Sequence, residues 1–246
     1  MQIMSSHEIP LTIRTGVKIA FEAFLLSTSK GIIVEGKENI PQKPPFIVAF
    51  NHMAWTESLL PFILLDLDMW PYTITKQENF KDKNGNHKLL GKILGKLGFY
   101  PIARGEADLK ALRTSIDFLT KGNVIAIAPE GTRGRDENRL ELKEGKSGVI
   151  FVATHFEPPI PILPVAIWGQ TEEIFPLLDE KGIDFPKDFF KLRKNPIHVK
   201  IGQPFIPILE EKEGMKKGEK LNILTTKLMK EIRNLLPEKY HGFYRE

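Results

Sequence analysis

Phe46-Ile47-Val48-Ala49-Phe50, followed at once by Asn51-His52, is an uninterrupted apolar run closed by two polar residues. A short run without polar alternation, entered through a turn from Pro41 to Pro45, predicts a strand buried on both faces, as in a sheet covered by helices on either side. The apolar residues beginning at Leu59-Leu60 then read as a helix, with Pro61 tolerated in its first turn. His52 thus falls at the carboxyl end of an interior strand, where open α/β sheets gather their ligands. Glu57 follows five residues later. In a continuous helix that spacing would turn the two side chains about 140° apart, so they can meet only if the strand-to-helix junction bends between them.

Outward from this stretch the chain alternates strand and helix patterns. Residues 32–34, 72–75, 124–128, 160–167 and 197–201 read as strands; residues 108–121, with Leu109, Leu112, Ile116 and Leu119 on one face, read as the clearest helix. Residues 146–155 read as a further helix, and Leu221, Leu224, Leu228, Ile232 and Leu235 mark an amphipathic one that Pro237 closes. The fold class expected is α/β: a mixed, mostly parallel sheet covered by helices on both faces, with an amino-terminal amphipathic helical segment. That segment, residues 10–27, carries Arg14, Lys18 and Glu22 on one stripe and apolar residues over most of the rest. Core packing and membrane contact through Phe21, Phe24 and Leu25, with Arg14 and Lys18 at the headgroups, are its two readings. The domain division expected is 1–31, an amino-terminal membrane-interface helical segment, and 32–246, the catalytic domain. Residues 171–194 read either as a lid or as an insertion burying its own aromatics.

The 246 residues hold 35 basic and 31 acidic side chains, a net charge of +4 that suits an anionic surface or substrate. No nucleic-acid-binding motif accompanies the charge, so no nucleic-acid partner is expected. The chain has no cysteine, which excludes a disulfide framework and a thiolate nucleophile. The serine pattern Gly-x-Ser-x-Gly is missing, and no pair of histidines has the spacing of a zinc-binding helix. No apolar run reaches the roughly 18–20 residues a spanning helix needs.

Four short blocks follow one another: Asn51-His52 with Glu57, Gly98-Phe99-Tyr100-Pro101-Ile102-Ala103-Arg104, Pro129-Glu130-Gly131-Thr132-Arg133, and Ile162-Leu163-Pro164-Val165. In order and spacing the set resembles the glycerolipid acyltransferase family, whose bacterial members acylate 1-acylglycerol-3-phosphate to phosphatidic acid. The family's first block is His-x4-Asp, and Glu57 stands at the aspartate position here. With its neighbours otherwise unaltered, the sequence favours a junction built for the shorter carboxylate, in which Glu57→Asp would raise turnover.

The resemblance implies that His52 is the base for the sn-2 hydroxyl of 1-acylglycerol-3-phosphate and that Glu57 orients it. Arg104 and Arg133 would hold the acceptor's phosphate, a role to which guanidinium forks are suited. Glu130, Gly131 and Thr132 of the third block, with Lys76 and Arg135, would belong to the same phosphate site. Lys76 and Arg135, with Lys143 and Lys146, would add positive field; solvated surface charge is the alternative for each. Ile162, Leu163, Pro164 and Val165 would form an acyl-chain wall or simply belong to the core. No metal or cofactor is implied, the acyl donor being a thioester substrate, acyl-ACP or acyl-CoA. The partners implied are a membrane lipid, an anionic membrane surface and acyl carrier protein. The location implied is the cytoplasmic face of the membrane, peripheral or monotopic. Another acceptor (glycerol-3-phosphate or a different lysophospholipid) and a lipid-binding protein with impaired catalysis are the alternatives.

Overall fold

The computed structural model describes residues 9–53, 56–81, 88–102, 109–132, 140–169, 195–209 and 214–245. The lid reading of residues 171–194 lies outside them. A seven-stranded sheet runs through the molecule in the order β1-β7-β6-β2-β5-β3-β4. Its strands are β1 (Ile32–Glu35), β2 (Ile47–Phe50), β3 (Pro71–Lys76), β4 (Phe99–Ile102), β5 (Val124–Ile127), β6 (Ile162–Trp168) and β7 (Ile197–Ile201). From β6 to β4 all neighbours are parallel; β7 pairs antiparallel with β6, and β1 runs parallel to β7. The mixed, mostly parallel sheet read from the sequence is therefore present.

The α-helices among the described residues are α1 (Leu11–Ser27), α2 (Leu60–Leu64), α3 (Leu89–Lys96), α4 (Leu109–Thr120), α5 (Gly148–Ala153) and α6 (Lys217–Leu235). The unbroken apolar character of β2 follows from helix layers on both faces. Ile47 and Ala49 pack with Phe118 and Leu119 of α4, Val149 and Val152 of α5, and Leu224 and Leu228 of α6. Phe46, Val48 and Phe50 face the other way, toward Leu25 of α1, Leu60 and Phe62 of α2, and Leu94 of α3. Phe62 ties this second layer together, its ring 5.5 Å from Phe21, 5.0 Å from Trp70 and 5.2 Å from Phe99.

Two helices sit differently from their sequence reading. In α4 the expected face packs on the core through Leu112, Ile116 and Leu119, but Leu109 is exposed and Ala111, Ser115 and Phe118 are buried beside that face. Small Ala111 and Ser115 let the helix approach β4, where the Ser115 hydroxyl meets the Tyr100 phenol at 2.8 Å. In α1 the basic stripe turns inward. Arg14 donates to the Ile9 carbonyl at 2.8 Å and the Leu67 carbonyl at 2.7 Å, and Lys18 donates to the Leu65 carbonyl at 2.8 Å. Leu65 caps the carboxyl end of α2, where helical carbonyls lack intrahelical partners and a cation is favourable. Leu25 is buried, Phe21 and Phe24 are partly buried, and Leu11, Ile13, Ile19 and Leu26 are exposed. The expectation that Arg14 and Lys18 reach headgroups while Phe21, Phe24 and Leu25 enter a bilayer is therefore corrected. The carbonyls beneath α1 claim the cations, and a different apolar set faces outward.

Candidate active site

Three consecutive residues leaving β2 are each fastened to a different part of the fold. Asn51 is fully buried; its side-chain amide donates to the Ile167 carbonyl at 2.8 Å and its Oδ1 accepts from the Ile167 N–H at 2.7 Å. The side chain thus prolongs the pairing of β2 with β6 past their last backbone partners, Phe50 and Val165. The His52 N–H donates to Glu130 Oε1 at 2.6 Å. The Met53 N–H donates to the Glu57 carboxylate, 3.0 Å from one oxygen and 2.8 Å from the other.

The bend required by the sequence is present. Glu57 lies in a single 3-10 turn, Thr56–Leu59, that precedes α2 and brings Oε2 to 3.3 Å from His52 Nδ1. The Glu57 side chain is 1% exposed and that of His52 24%, so the carboxylate is sealed and the imidazole reaches the surface. Leu25, Thr56, Leu60, Ile167, Trp168 and Ile197 close around Glu57 and leave a cavity of about 10 Å³, room for one water at most. A buried carboxylate on Nδ1 fixes the tautomer that carries its proton there, and stabilises the imidazolium once Nε2 takes a second proton.

Glu130 closes the other side. It is almost completely buried, and its second oxygen accepts from the Lys143 N–H at 2.9 Å, so one carboxylate joins the His52 backbone to the loop before α5. Burial pushes its pKa up to about 7, against the downward pull of the two N–H donors and of His52, with Glu57 adding a smaller upward push. The carboxylate of this third-block residue is engaged with backbone inside the fold. Beyond it, Gly131 has φ +68° and its nearest neighbour is the Lys146 side chain; a Cβ there would meet Lys146 Cδ at 3.1 Å. Thr132 is exposed beside it.

Lys76 is exposed at the carboxyl end of β3, on the same rim as His52. Ile162, Leu163 and Val165 are buried within β6. Pro164 lies opposite Ala49 in that strand. Arg104, Arg133 and Arg135 lie outside the described residues. Asn51 as a clamp and Glu130 as a backbone anchor are the roles that motif reading missed. The sequence signal for Asn51 is its place directly after a buried strand; Glu130, three residues past β5, has only its place in the third block.

A family model described as Acyltransferase matches residues 31–168, more than half of the chain and all four blocks. The chain belongs to this acyltransferase family. It is similar, at 29% identity over 156 residues, to 1-acyl-sn-glycerol-3-phosphate acyltransferase of Bacillus subtilis, the match covering 61% of this chain and 70% of that one. It is also 27% identical over 150 residues to a chloroplastic 1-acyl-sn-glycerol-3-phosphate acyltransferase of Arabidopsis thaliana, where the match spans 59% of this chain and 38% of that longer protein. The crystal structure of the 1-acyl-sn-glycerophosphate acyltransferase PlsC from Thermotoga maritima shares the fold. Its TM-score is 0.56 at 21% identity, over 91% of this chain and 80% of that one.

Proposed function

We propose that this protein transfers a fatty acyl group from an acyl thioester, on acyl carrier protein or coenzyme A, to the sn-2 hydroxyl of 1-acylglycerol-3-phosphate, giving phosphatidic acid. The observation that carries the reading is the partly exposed imidazole of His52, with Nδ1 3.3 Å from a sealed carboxylate, at the carboxyl end of an interior strand inside the family-matched region. Both relatives are named 1-acyl-sn-glycerol-3-phosphate acyltransferases, which supports the acceptor. In this mechanism His52 Nε2 takes the hydroxyl proton as the oxygen attacks the thioester carbonyl, the C–S bond breaks, and the imidazolium returns the proton to the departing thiolate. Glu57 holds the ring and balances its transient charge.

Arg104 and Arg133 of the second and third blocks would bind the acceptor's phosphate, with Lys76, Arg135, Gly131 and Thr132 around them, and the buried Glu130 would tie the third block to the His52 backbone. The fourth block, Ile162 to Val165, would back the acyl chain from within the sheet. Residues 1–31 would form the membrane-facing segment and 32–246 the catalytic unit, seated on the bilayer surface as a peripheral or monotopic protein. No helix among the described residues is long and apolar enough to cross a membrane. The test offers purified protein lysophosphatidate or glycerol-3-phosphate with each thioester and weighs the products. Phosphatidate from lysophosphatidate is the expected product. Acylation of glycerol-3-phosphate alone would move the acceptor assignment, and no transfer to either would leave only lipid binding.

A further inference from the structure

α3 (Leu89–Lys96) covers the edge of the sheet with its glycines. Gly91 and Gly95 are buried, and a Cβ on Gly91 would lie 2.8 Å from the Phe80 carbonyl oxygen, so the helix is pressed directly on backbone. At 100° per residue Ile93 points about 160° from each glycine, and Leu89 lies nearly as far round. Leu89, Leu90 and Ile93 are accordingly 74%, 55% and 47% exposed. Lys88, Lys92 and Lys96, all exposed, run as one stripe along the flank of this crest, and residues 88–102 contain no acidic side chain.

α3 shares a layer with α1. Trp70, against Phe62 of α2, donates to the Leu97 carbonyl at 3.1 Å just past α3, and Arg14 of α1 donates to the Leu67 carbonyl three residues before Trp70. Both helices reach the catalytic rim: α3 begins beside Phe80, shortly after the carboxyl end of β3, and α1 ends with Leu25 against the pocket of Glu57. On its outer side α1 offers Ile13, Ile19 and Leu26, but Arg14 and Lys18 are spent inward on carbonyls. At the start of α3, Lys88 donates to the Glu78 carbonyl at 2.8 Å, and Lys92 and Lys96 are the exposed cations among the described residues of these two helices that remain for a surface.

We propose that α3 is an interfacial docking element for an anionic bilayer. Leu89, Leu90 and Ile93 enter the acyl boundary, and Lys92 and Lys96 lie at the headgroups, beside the outer face of α1. An apolar crest flanked by lysines is complementary to such a surface, where each lysine adds about fivefold in affinity. The inference deepens the lipid-acceptor reading and rests on it. The bilayer brings the acceptor to the rim where His52 stands.

The experiment uses the full-length protein, vesicle sedimentation and an acyl-transfer assay with a water-soluble short-chain lysophosphatidate. Leu89→Ser with Ile93→Ser should weaken binding to phosphatidylglycerol–phosphatidylcholine vesicles by at least about tenfold. Lys92→Gln with Lys96→Gln should weaken it by about 30-fold, with little change on pure phosphatidylcholine. All these positions are exposed, so melting temperatures and turnover on the soluble acceptor should match the parent. Vesicle binding by either variant equal to that of the parent overturns the proposal. So does a lysine variant that sediments normally but loses transfer from the carrier-protein thioester, which would give the face to an acidic protein. A parent that binds vesicles but transfers no acyl group would fail the functional reading while leaving α3's docking intact.

Discussion

Glu57→Asp removes one methylene from a side chain that makes three contacts in a sealed site. It draws the carboxylate back by about 1.5 Å, so the 3.3 Å approach to His52 Nδ1 stretches beyond about 4 Å and ceases to be a hydrogen bond. The backbone has little freedom to follow, because Leu59, Leu60 and Phe62 are buried immediately downstream and the pocket holds only about 10 Å³. The Met53 N–H, now 2.8 Å from the nearer oxygen, loses its partner as well. A buried donor left unpaired costs about 1–3 kcal/mol and a lost buried methylene about 1 kcal/mol, so a destabilisation of about 2–4 kcal/mol is expected. A displacement of this size at a reacting group lowers turnover by about 10²-fold. This reverses the expectation drawn from sequence, since the junction is built around glutamate. Glu57→Gln serves as the comparator. It keeps the volume and an acceptor for Met53, so its stability should change little, while loss of the charge opposite the imidazolium lowers turnover by about 10²–10⁴-fold. Denaturant unfolding and steady-state acyl transfer on both variants provide the readout. An aspartate variant as stable and as fast as the parent would refute the packing argument, and a glutamine variant matching the parent in rate and pH profile would remove Glu57 from the mechanism.

Asn51→Ala should destabilise the protein by about 2–4 kcal/mol by stranding the buried N–H and carbonyl of Ile167, measured as a shift in the unfolding midpoint. For Glu130, burial raises the folded pKa to about 7 from an ordinary value of 4.5, so the folded state holds a proton that the unfolded state has released. Its stabilising contribution is therefore full below the lower value and is lost as pH rises to the upper one, by about 3 kcal/mol. Glu130→Gln should flatten that part of the stability–pH curve, and an unchanged slope would refute the assignment. Arg104→Ala and Arg133→Ala should each depress use of lysophosphatidate far more than slow thioester hydrolysis. Equal loss of the two reactions would remove the phosphate role.

The interior strands and the His52–Glu57 pair were legible because each is written in contiguous residues: an unbroken apolar run, then a polar junction. α3 and β4 were not. Two glycines cost an eight-residue helix about 1 kcal/mol each, and only the close approach to Phe80 explains them. Pro101 argues against a strand unless that strand is an edge, and β4 is an edge. The orientation of α1 was hidden for another reason: periodicity gives the stripes of a helix but not which stripe its neighbours require, and here unpaired carbonyls required the basic one. Asn51 and Glu130 find partners 116 and 78 residues away, a distance over which local pattern carries no information.

In the proposed mechanism His52 takes the proton from the acceptor hydroxyl while Glu57 holds its ring. Transfer of a labelled acyl group from thioester to lysophosphatidate, measured side by side for the parent and His52→Ala at matched folding by circular dichroism, tests it most directly. The mechanism predicts phosphatidate from the parent and a loss of about 10²–10⁴-fold in the variant; a folded variant that forms phosphatidate at the parent's rate would contradict it.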